Sequence, residues 1–437
     1  MLVRCLTSLS FRILCGLWTL TPLQGLRIDV SAPSAILVRA SDGRCLWGKA
    51  EEERRHPASL TKIATAWWIL YQYGDRLDEI VTIPREALVT LSPEQRRKGK
   101  PWVLETGDLN IALKAGEQLS ARTLLEGTLI RSAGDAANSL AWHFGGGSIE
   151  AFVEEMNQGL VEKLGLRNTH FMNPHGHIHP NHFSTVSDLA KIAVAASKYE
   201  EFRRIVASRI YLRPGTDLVP AQRLRSTNLL LSPGPFFHPH AQGMKTGYTS
   251  KAGACLIAAA DDGTRSVIYV SLASRGPGRW LDAHKVIDVA LQETPIFRTY
   301  HRGGLIGKGH PIVGGRHPVQ GMVVDPLRIQ RYASEERPVT MQIAWNARLQ
   351  PPIVRDQVLG EVRVVDEGGH ILIRAPLQAA ADVDATWTYR LGHLWKHWGW
   401  AGNMALLSSL LIGLSVWIWA LVYCQDHTSQ RQPLVEG

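Results

Sequence analysis

The sequence predicts a mixed α/β domain, with an antiparallel sheet flanked by helices, followed by a small all-β domain and a C-terminal membrane helix. Strand patterns occur at both ends of residues 26–295, and helical patterns lie between them. Period-two alternation takes over in residues 296–383. Residues 401–424 contain no charged side chain. A chain of 437 residues, 45% of them hydrophobic, is long enough for one large and one smaller core.

The N-terminal segment, residues 1–25, has the pattern of a secretory signal. Arg4 and Arg12 precede an apolar run, which is followed by small and polar residues. A buried first strand is the alternative, but two arginines just before the apolar run argue against it. We therefore expect the rest of the chain to be exported.

The region 26–295 reads as one domain whose sheet is completed by distant segments. SAILVRA and RCLWGKA flank an Asp-Gly turn, and GACLIAAADD is joined to TRSVIYVSLAS by a second one. Helical periodicity marks the segments between and after these strands: LTKIATAWWILYQYG, residues 119–144, SIEAFVEEMNQGLVEKLG, VSDLAKIAVAAS and LDAHKVIDVALQET. Strands at both ends of the region predict a sheet built from residues far apart in the chain.

The region 296–383 has lost helical periodicity. VTMQIAW and GEVRVVDEGGHILIRAPL alternate in polarity, and a Gly-Gly pair marks a hairpin turn in the second stretch. We expect a small all-β domain there, joined by residues 384–400 to an apolar C-terminal segment.

The segment 401–424 is long enough for a membrane anchor, since a spanning helix needs about 20 apolar residues. Trp395, Trp398 and Trp400 precede it and Tyr423 lies at its end, as interfacial aromatic residues would. With an exported domain, residues 425–437 would form a cytoplasmic tail.

The charge and the cysteine and histidine content of the chain limit the classes of molecule it is expected to bind. The net charge of +9 is spread along the chain, which fits an anionic membrane surface or an acidic small substrate and does not indicate nucleic-acid binding. Cys45 and Cys255 are the two cysteines of the exported part, so one disulfide is possible. Four histidines in NPHGHIHPNHF are interpreted as a polar loop. No metal site and no cofactor are predicted.

HPASLTK places Ser59 and Lys62 three residues apart, on one face of a helix. Ser59 could simply cap that helix. The helix after Lys62 is almost wholly apolar, however, and a lysine buried at its start would have a lowered pKa. A neutral lysine can take the proton of a serine, which is the Ser-Lys form of nucleophilic catalysis.

Two further motifs follow in order. Ser132 lies in RSAGDAAN, a stretch of small and polar residues within a helical pattern, and Lys245-Thr246-Gly247 lies at the head of a strand. The lysine and threonine would bind a carboxylate, and the glycine would let a substrate backbone approach. A Ser-x-x-Lys, a serine and a Lys-Thr-Gly in this order are typical of penicillin-binding proteins and serine β-lactamases.

The chain resembles the low-molecular-mass penicillin-binding proteins, which are D-alanyl-D-alanine carboxypeptidases. The resemblance extends from about residue 28 to the predicted anchor and rests on HPASLTKIATA, LKAGEQLSARTLLEGTLIRSAGDAANSLA, LGLRNTHFMNPHG, NHFSTVSDLAKIA and GMKTGYTSKAGACLIAAA. It implies a penicillin-binding or β-lactamase-like catalytic domain, a β-sandwich, and attachment to the bacterial inner membrane with the catalytic domain outside.

The resemblance also implies roles for the motif residues. Ser59 would attack the carbonyl between two terminal D-alanines of a peptidoglycan stem peptide, and Lys62 would be the general base. Backbone N–H groups of Ser59 and Tyr248 would form the oxyanion hole. Lys245, Thr246 and Gly247 would bind the substrate end, and Ser132 would relay a proton to the leaving D-alanine. β-Lactams would acylate Ser59.

One position departs from the family pattern. The family's second motif is Ser-x-Asn, whereas this chain has Ser132-Ala133-Gly134. An amide there would contact Lys62 and the substrate, and Asn138, one helical turn further on, is not expected to replace it. Its loss would slow acylation unless water or another side chain takes the role. The alternatives are a weakly active or non-catalytic wall-binding protein, and a β-lactamase or esterase of the same fold.

Overall fold

The computed structural model describes residues 26–96, 99–397 and 399–428. The predicted signal, 1–25, and residues 429–437 of the predicted tail lie outside the described residues. The chain forms two compact units. The first extends to Pro295 and includes the short segment Tyr332–Glu336; the second comprises Ile296–Arg331 and the chain from Arg337 onward.

The first unit contains the helices and strands that position the candidate site. Its helices are α1 Thr61–Tyr73, α2 Pro93–Arg96, α3 Ala121–Glu126, α4 Gly134–Phe144, α5 Ile149–Leu164, α6 Val186–Ala196, α7 Glu200–Ala207 and α8 Gly278–Leu291. Its strands are β1 Ser34–Arg39, β2 Cys45–Lys49, β3 Ile80–Thr82, β4 Thr90–Leu91, β5 Leu104–Glu105, β6 Gln118–Ser120, β7 Ile210–Arg213, β8 Gln222–Arg225, β9 Ala241–Thr249, β10 Gly253–Asp261 and β11 Ser266–Ser274.

A five-stranded antiparallel sheet organises this unit, with the strand order β2-β1-β11-β10-β9. Successive side chains of a strand face opposite sides of the sheet. Accordingly, Ile36 and Val38 join the core formed with the helical lobe, whereas Ala35 and Leu37 pack in the core formed with α8. The predicted antiparallel sheet flanked by helices is confirmed, and it is completed by distant segments, as the sequence pattern indicated.

The helical pattern of residues 119–144 is interrupted in the structure. After α3, a π-helical turn, Gly127–Arg131, leads to Ser132, whose backbone is left-handed with φ 67°, and α4 begins two residues later. The continuous helix predicted there is therefore wrong at one point. The small and polar residues that lower helix propensity in this stretch mark the break.

The Lys-Thr-Gly motif also lies differently from the prediction. It lies within β9, not at the head of a strand, and β9 pairs antiparallel with β10 on one side. β9 is the last strand of the sheet, so its other edge borders the candidate site.

The second unit contains the β-rich region and the C-terminal helices. Its strands are β12 Ile296–His301, β13 Gly304–His310, β14 Val319–Val323, β15 Leu327–Arg331, β16 Val339–Trp345, β17 Val358–Asp366 and β18 Ile371–Ala379; its helices are α9 Trp387–His397 and α10 Gly399–Thr428. Strands β13-β14-β18-β17-β16 form an antiparallel sheet over a separate apolar core, and β12 pairs with β15.

The predicted membrane anchor, residues 401–424, lies in α10. Among the helices in the described part of the chain, none combines the length and the apolar character needed to cross a membrane. The predicted span is not supported.

No disulfide joins Cys45 to Cys255. Cys45 is exposed on β2, whereas Cys255 is buried on β10. Burial raises the pKa of the Cys255 thiol to about 11, which keeps that thiol protonated and unreactive at neutral pH.

Candidate active site

Ser59 lies in a single 3₁₀ turn, Ala58–Leu60, that leads directly into α1. The turn is conformationally costly, because Ala58 has a φ of 50°, in the left-handed region that non-glycine residues rarely adopt. Leu60 is the N-cap of α1, and no side chain makes a capping hydrogen bond there. The Ser59 hydroxyl does not cap the helix and instead lines a cleft.

Lys62, in the first turn of α1, is the neighbour of that hydroxyl. Its Nζ lies 3.1 Å from Ser59 Oγ and donates to the carbonyl of His175 at 2.6 Å, and the side chain is only 3% exposed. Loss of solvation lowers the pKa of Lys62 to about 8, although the charges of Asp108 and Asp135 oppose this shift. A minor neutral fraction is thus available near neutral pH to accept a proton, and it grows as the pH approaches 8.

The segment Asn173–Gly176 packs against the 3₁₀ turn Ala58–Leu60, which carries Ser59 and is called the nucleophile turn below. Gly176, with φ 97°, lies so close that a Cβ there would be 1.9 Å from the carbonyl oxygen of Ala58. The Asn173 side-chain oxygen accepts from the Gly176 N–H at 2.7 Å and fixes this loop. The loop in turn places the His175 carbonyl within hydrogen-bond distance of Lys62 Nζ, which ties Asn-Pro-His-Gly to the candidate site.

A second serine–lysine pair lies across the cleft. Lys245 Nζ, on β9, donates to Ser132 Oγ at 2.8 Å and to the carbonyl of Thr246 at 2.8 Å. The left-handed backbone of Ser132, between α3 and α4, turns its side chain toward the strand. Burial holds the pKa of Lys245 well below its usual range, and the charges of Lys62 and Arg279 lower it further.

Thr246 and Gly247, the other residues of the Lys-Thr-Gly motif, line the same side of the cleft as the Ser132–Lys245 pair. Thr246 Oγ1 lies 2.6 Å from Thr227 Oγ1. A Cβ on Gly247 would lie 3.1 Å from Ser59 N and 3.0 Å from the carbonyl oxygen of Pro57. The glycine therefore serves the packing of the nucleophile turn against β9, rather than substrate approach alone. Tyr248 follows it and is 68% exposed.

Sequence reasoning missed Arg279 and Thr227. Arg279 is half-buried in the first turn of α8, donates from Nη1 to the Gly247 carbonyl at 2.9 Å, and has a buried Nε with no hydrogen-bond partner. A cation at a helix N-terminus is electrostatically disfavoured. That conflict is a signal the sequence offered for Arg279; Thr227 lies in no recognisable motif.

These walls enclose a cleft of about 300 Å³. Its lining unites Ser59, Lys62, Ser132, Thr246, Gly247 and Tyr248 with Arg279. Lys245 lies directly behind it, bonded to Ser132. The structure therefore brings together all the site residues that the motifs predicted. The arrangement offers a nucleophile with an adjacent base, a proton-transfer pair, and cationic groups for an anion.

Gly134 lines the same cleft at the start of α4. Asn138 is buried one turn further on, and its side-chain N–H groups donate to the carbonyls of Ala87 and Trp102 at 3.2 and 2.9 Å. Asn138 therefore does not supply the missing motif amide, as expected from its spacing.

The histidines of the 175–182 segment make hydrogen bonds within the loop and its surroundings. His175 Nε2 lies 3.0 Å from the Trp102 carbonyl, His177 Nε2 lies 2.8 Å from Glu105, and His182 Nε2 lies 2.9 Å from Thr61 Oγ1. These bonds position the loop that clamps the nucleophile turn.

Among the described residues, His238, His284 and Asp288 form a cluster with potential metal-ligand atoms within 4.8 Å of one another. His238 Nδ1 accepts from the N–H of His240 at 3.2 Å, so its proton lies on Nε2, which is 3.2 Å from Asp288. The third member, His284, has its Nε2 3.0 Å from the carbonyl of Phe236.

Known proteins resemble this chain in sequence. Residues 21–276 match the S11 peptidase family model, described as D-alanyl-D-alanine carboxypeptidase. The D-alanyl-D-alanine carboxypeptidase DacF of Bacillus subtilis is 31% identical over 355 residues, which cover 80% of this chain and 86% of DacF.

Solved structures show the same architecture. Penicillin-binding protein 5 of Haemophilus influenzae has a TM-score of 0.55 at 25% identity, covering 82% of this chain and 98% of that one. The DD-transpeptidase of Streptomyces K15 has a TM-score of 0.52 at 31% identity, covering 60% of this chain and 98% of that one. The likeness to the first extends well beyond the catalytic unit.

Proposed function

The chain belongs to the D-alanyl-D-alanine carboxypeptidase family of serine peptidases, and from that membership we propose that it removes the terminal D-alanine of peptidoglycan stem peptides through an acyl-enzyme on Ser59. The observation on which this depends is the contact of Ser59 Oγ with the buried Nζ of Lys62 at 3.1 Å. The pKa of about 8 leaves that lysine able to act as a base.

In acylation, Lys62 takes the proton of Ser59 as Oγ attacks the carbonyl carbon between the two D-alanines. The backbone N–H groups of Ser59 and Tyr248 stabilise the negative charge that develops on the carbonyl oxygen. The bond between that carbon and the nitrogen of the terminal D-alanine then breaks.

The terminal carboxylate is bound on the side of the cleft formed by β9 and the start of α8. Thr246 offers a hydroxyl, Lys245 lies behind it as a buried lysine, and Arg279 lines the same cleft. An anion that enters the cleft favours the charged forms of these side chains. A carboxylate-terminated peptide supplies that anion, which favours this substrate over a neutral ester.

Ser132 completes the proton transfers. It lies 2.8 Å from Lys245, and its hydroxyl relays to the amine of the departing D-alanine the proton that Lys62 took from Ser59, so that Ser132 and Lys62 both return to their starting protonation states. Water then attacks the acyl-enzyme, giving the shortened peptide and free Ser59. β-Lactams acylate the same serine. The signal pattern of residues 1–25 supports export to the cell-wall compartment, where this substrate occurs.

Mass spectrometry of a synthetic stem pentapeptide tests the proposal. The protein is expected to remove one D-alanine, and the Ser59→Ala variant to remove none. A cross-linked dimer would instead indicate transpeptidation, the activity after which the Streptomyces relative is named. Intact pentapeptide, together with no covalent labelling by a fluorescent penicillin, would indicate the wall-binding alternative and overturn the proposal.

A further inference from the structure

Asp108 is the only acidic residue among the described residues that line the cleft. The same lining includes Ser59, Lys62 and Gly134. Neither the motifs nor the family resemblance singled out this aspartate. A lone carboxylate in a cleft built around cations is an unusual feature that needs a physical account.

The loop that carries Asp108 is fixed to the first turn of α4. Its carboxylate accepts from the N–H of Glu105 at 2.7 Å, and the next residue, Leu109, accepts from the N–H of Gly134 at 2.8 Å. The buried carboxylate of Asp135 accepts from the N–H groups of Ile111 and Leu113 at 3.2 Å. These bonds hold Asp108 against α4, the helix that begins at Gly134, where the chain differs from the family motif.

The loop that carries Asp108 lies close to the backbone of Gly134 and limits the space for a side chain there. A Cβ at Gly134 would lie 2.8 Å from Leu104 Cδ2 and 3.7 Å from the carbonyl oxygen of Leu109. A side chain at position 134 must therefore shift the end of the Leu104 side chain, whereas the Leu109 carbonyl is at ordinary van der Waals distance. The place where the family motif has an amide is partly filled here by Leu104, from the segment that carries the carboxylate.

The charge of Asp108 also affects the pKa of Lys62. Apart from burial, its charge has the largest effect on the pKa of Lys62, ahead of Asp135, and it raises that pKa. The charged and titratable groups described around the two residues are Asp135 and Lys245 near Lys62, Glu105 and His177 near Asp108, and Arg279 in the same cleft lining. His177 Nδ1 lies 3.9 Å from the Asp108 carboxylate, and its Nε2 lies 2.8 Å from Glu105.

We propose that Asp108 is a positioning residue that stabilises the ammonium formed on Lys62 when Ser59 loses its proton, in the role that an amide at position 134 has in the family motif. The proton moves from Ser59 Oγ to Lys62 Nζ as the Oγ–carbon bond forms, and Asp108 stays ionised throughout. The arrangement follows the logic of a nucleophile, a base and a third group acting on that base. The inference rests on the proposed function.

Asp108→Asn tests it, because asparagine keeps an oxygen to accept from Glu105 N but removes the charge. Without that charge the pKa of Lys62 falls, so the acidic limb of the kcat/KM profile for D-alanine release should move to lower pH by roughly half a unit or more. The plateau should fall about tenfold, since the ammonium is less stabilised in the transition state. Asp108→Glu should restore the position of the limb.

The matched control is Asp217→Asn, which removes the same charge from an exposed loop residue of the same unit. Its profile should match the wild type. The double variant Asp108→Asn with Gly134→Asn should recover part of the lost rate, because an amide then replaces the carboxylate, and the two changes would be non-additive.

Thermal melting and the stoichiometry of penicillin labelling report whether each variant is folded. If Asp108→Asn fails to fold, Asp108→Ser offers a neutral acceptor to Glu105 N and carries the same expectations. An unshifted limb with an undiminished plateau in a folded neutral variant would overturn the inference, as would an equal change in Asp217→Asn. Failure of the proposed function is distinguishable, since the wild type itself would then release no D-alanine.

Discussion

The site contains two serine–lysine pairs that are chemically alike and structurally opposite. Ser59 and Lys62 are three residues apart, at the start of one helix, whereas Ser132 and Lys245 are brought together from positions 113 residues apart. Both lysines are almost completely buried. Lys62 has two carboxylates within electrostatic reach, but the charged groups that act on Lys245 are the cations Lys62 and Arg279.

Different surroundings give the two lysines different chemical properties. Lys62 has a pKa of about 8 and can exchange a proton near neutral pH. Lys245 lacks acidic neighbours among the groups that act on it, so its charged form is stabilised most when an anion enters the cleft. The first pair suits chemistry, and the second suits the recognition of a carboxylate.

The strongest test of the comparison is removal of the first pair's nucleophile. Ser59→Ala should abolish both D-alanine release and covalent penicillin labelling, a loss of about 10⁴-fold or more. Ser132→Ala, in the second pair, should keep a measurable labelling rate. Stable labelling of the Ser59→Ala protein would mean that another residue is the nucleophile.

Removal of the second lysine should cost less and depend on the substrate. Lys245→Ala is expected to lower kcat/KM for a carboxylate-ended pentapeptide by about 10²- to 10³-fold, because a charged hydrogen bond in a buried site is lost. The matched measurement uses the same peptide with a C-terminal amide, for which the variant should lose much less. Equal losses on both peptides would separate Lys245 from carboxylate recognition.

The pH dependence separates the two lysines further. Acylation needs neutral Lys62, and its pKa is lowered to about 8, so kcat/KM should rise with pH and level off above about 8. Below that value the rate should fall about tenfold per pH unit, as the lysine becomes protonated. Stopped-flow measurement of penicillin acylation provides the profile. A rate independent of pH between about 6 and 9 would contradict Lys62 as the base.

The smallest effect on the rate is expected at Gly134, the position that differs from the family motif. Gly134→Asn should change the rate of D-alanine release by less than about threefold, because Asp108 already acts on Lys62 and Leu104 must move to admit the new side chain. The matched control is Gly134→Ala, which introduces the same Cβ contact with Leu104 without an amide. A large gain specific to asparagine would show that the missing amide limits catalysis.

Much of the fold followed from periodicity. The turns, strands and helices around residues 34–50, 60–74 and 253–294 form close to their predicted bounds, because hydrophobic spacing and Gly punctuation are local signals. The break at Ser132 and the position of Lys245 inside an edge strand were not predicted. Both depend on how α3, α4 and β9 pack, which no local pattern encodes.

The first pair was predictable from local spacing, since a separation of three residues on a helix places two side chains on one face whatever surrounds them. The order of the motifs and the departure at Gly134 are also read directly from the chain. Packing between distant segments was needed to bring Ser132 to Lys245, to place Gly247 and Gly176 against the 3₁₀ turn of Ser59, and to bring Arg279 and Asp108 into the cleft. Burial and neighbouring charge set the properties of both lysines, and those depend on contacts between segments distant in the chain.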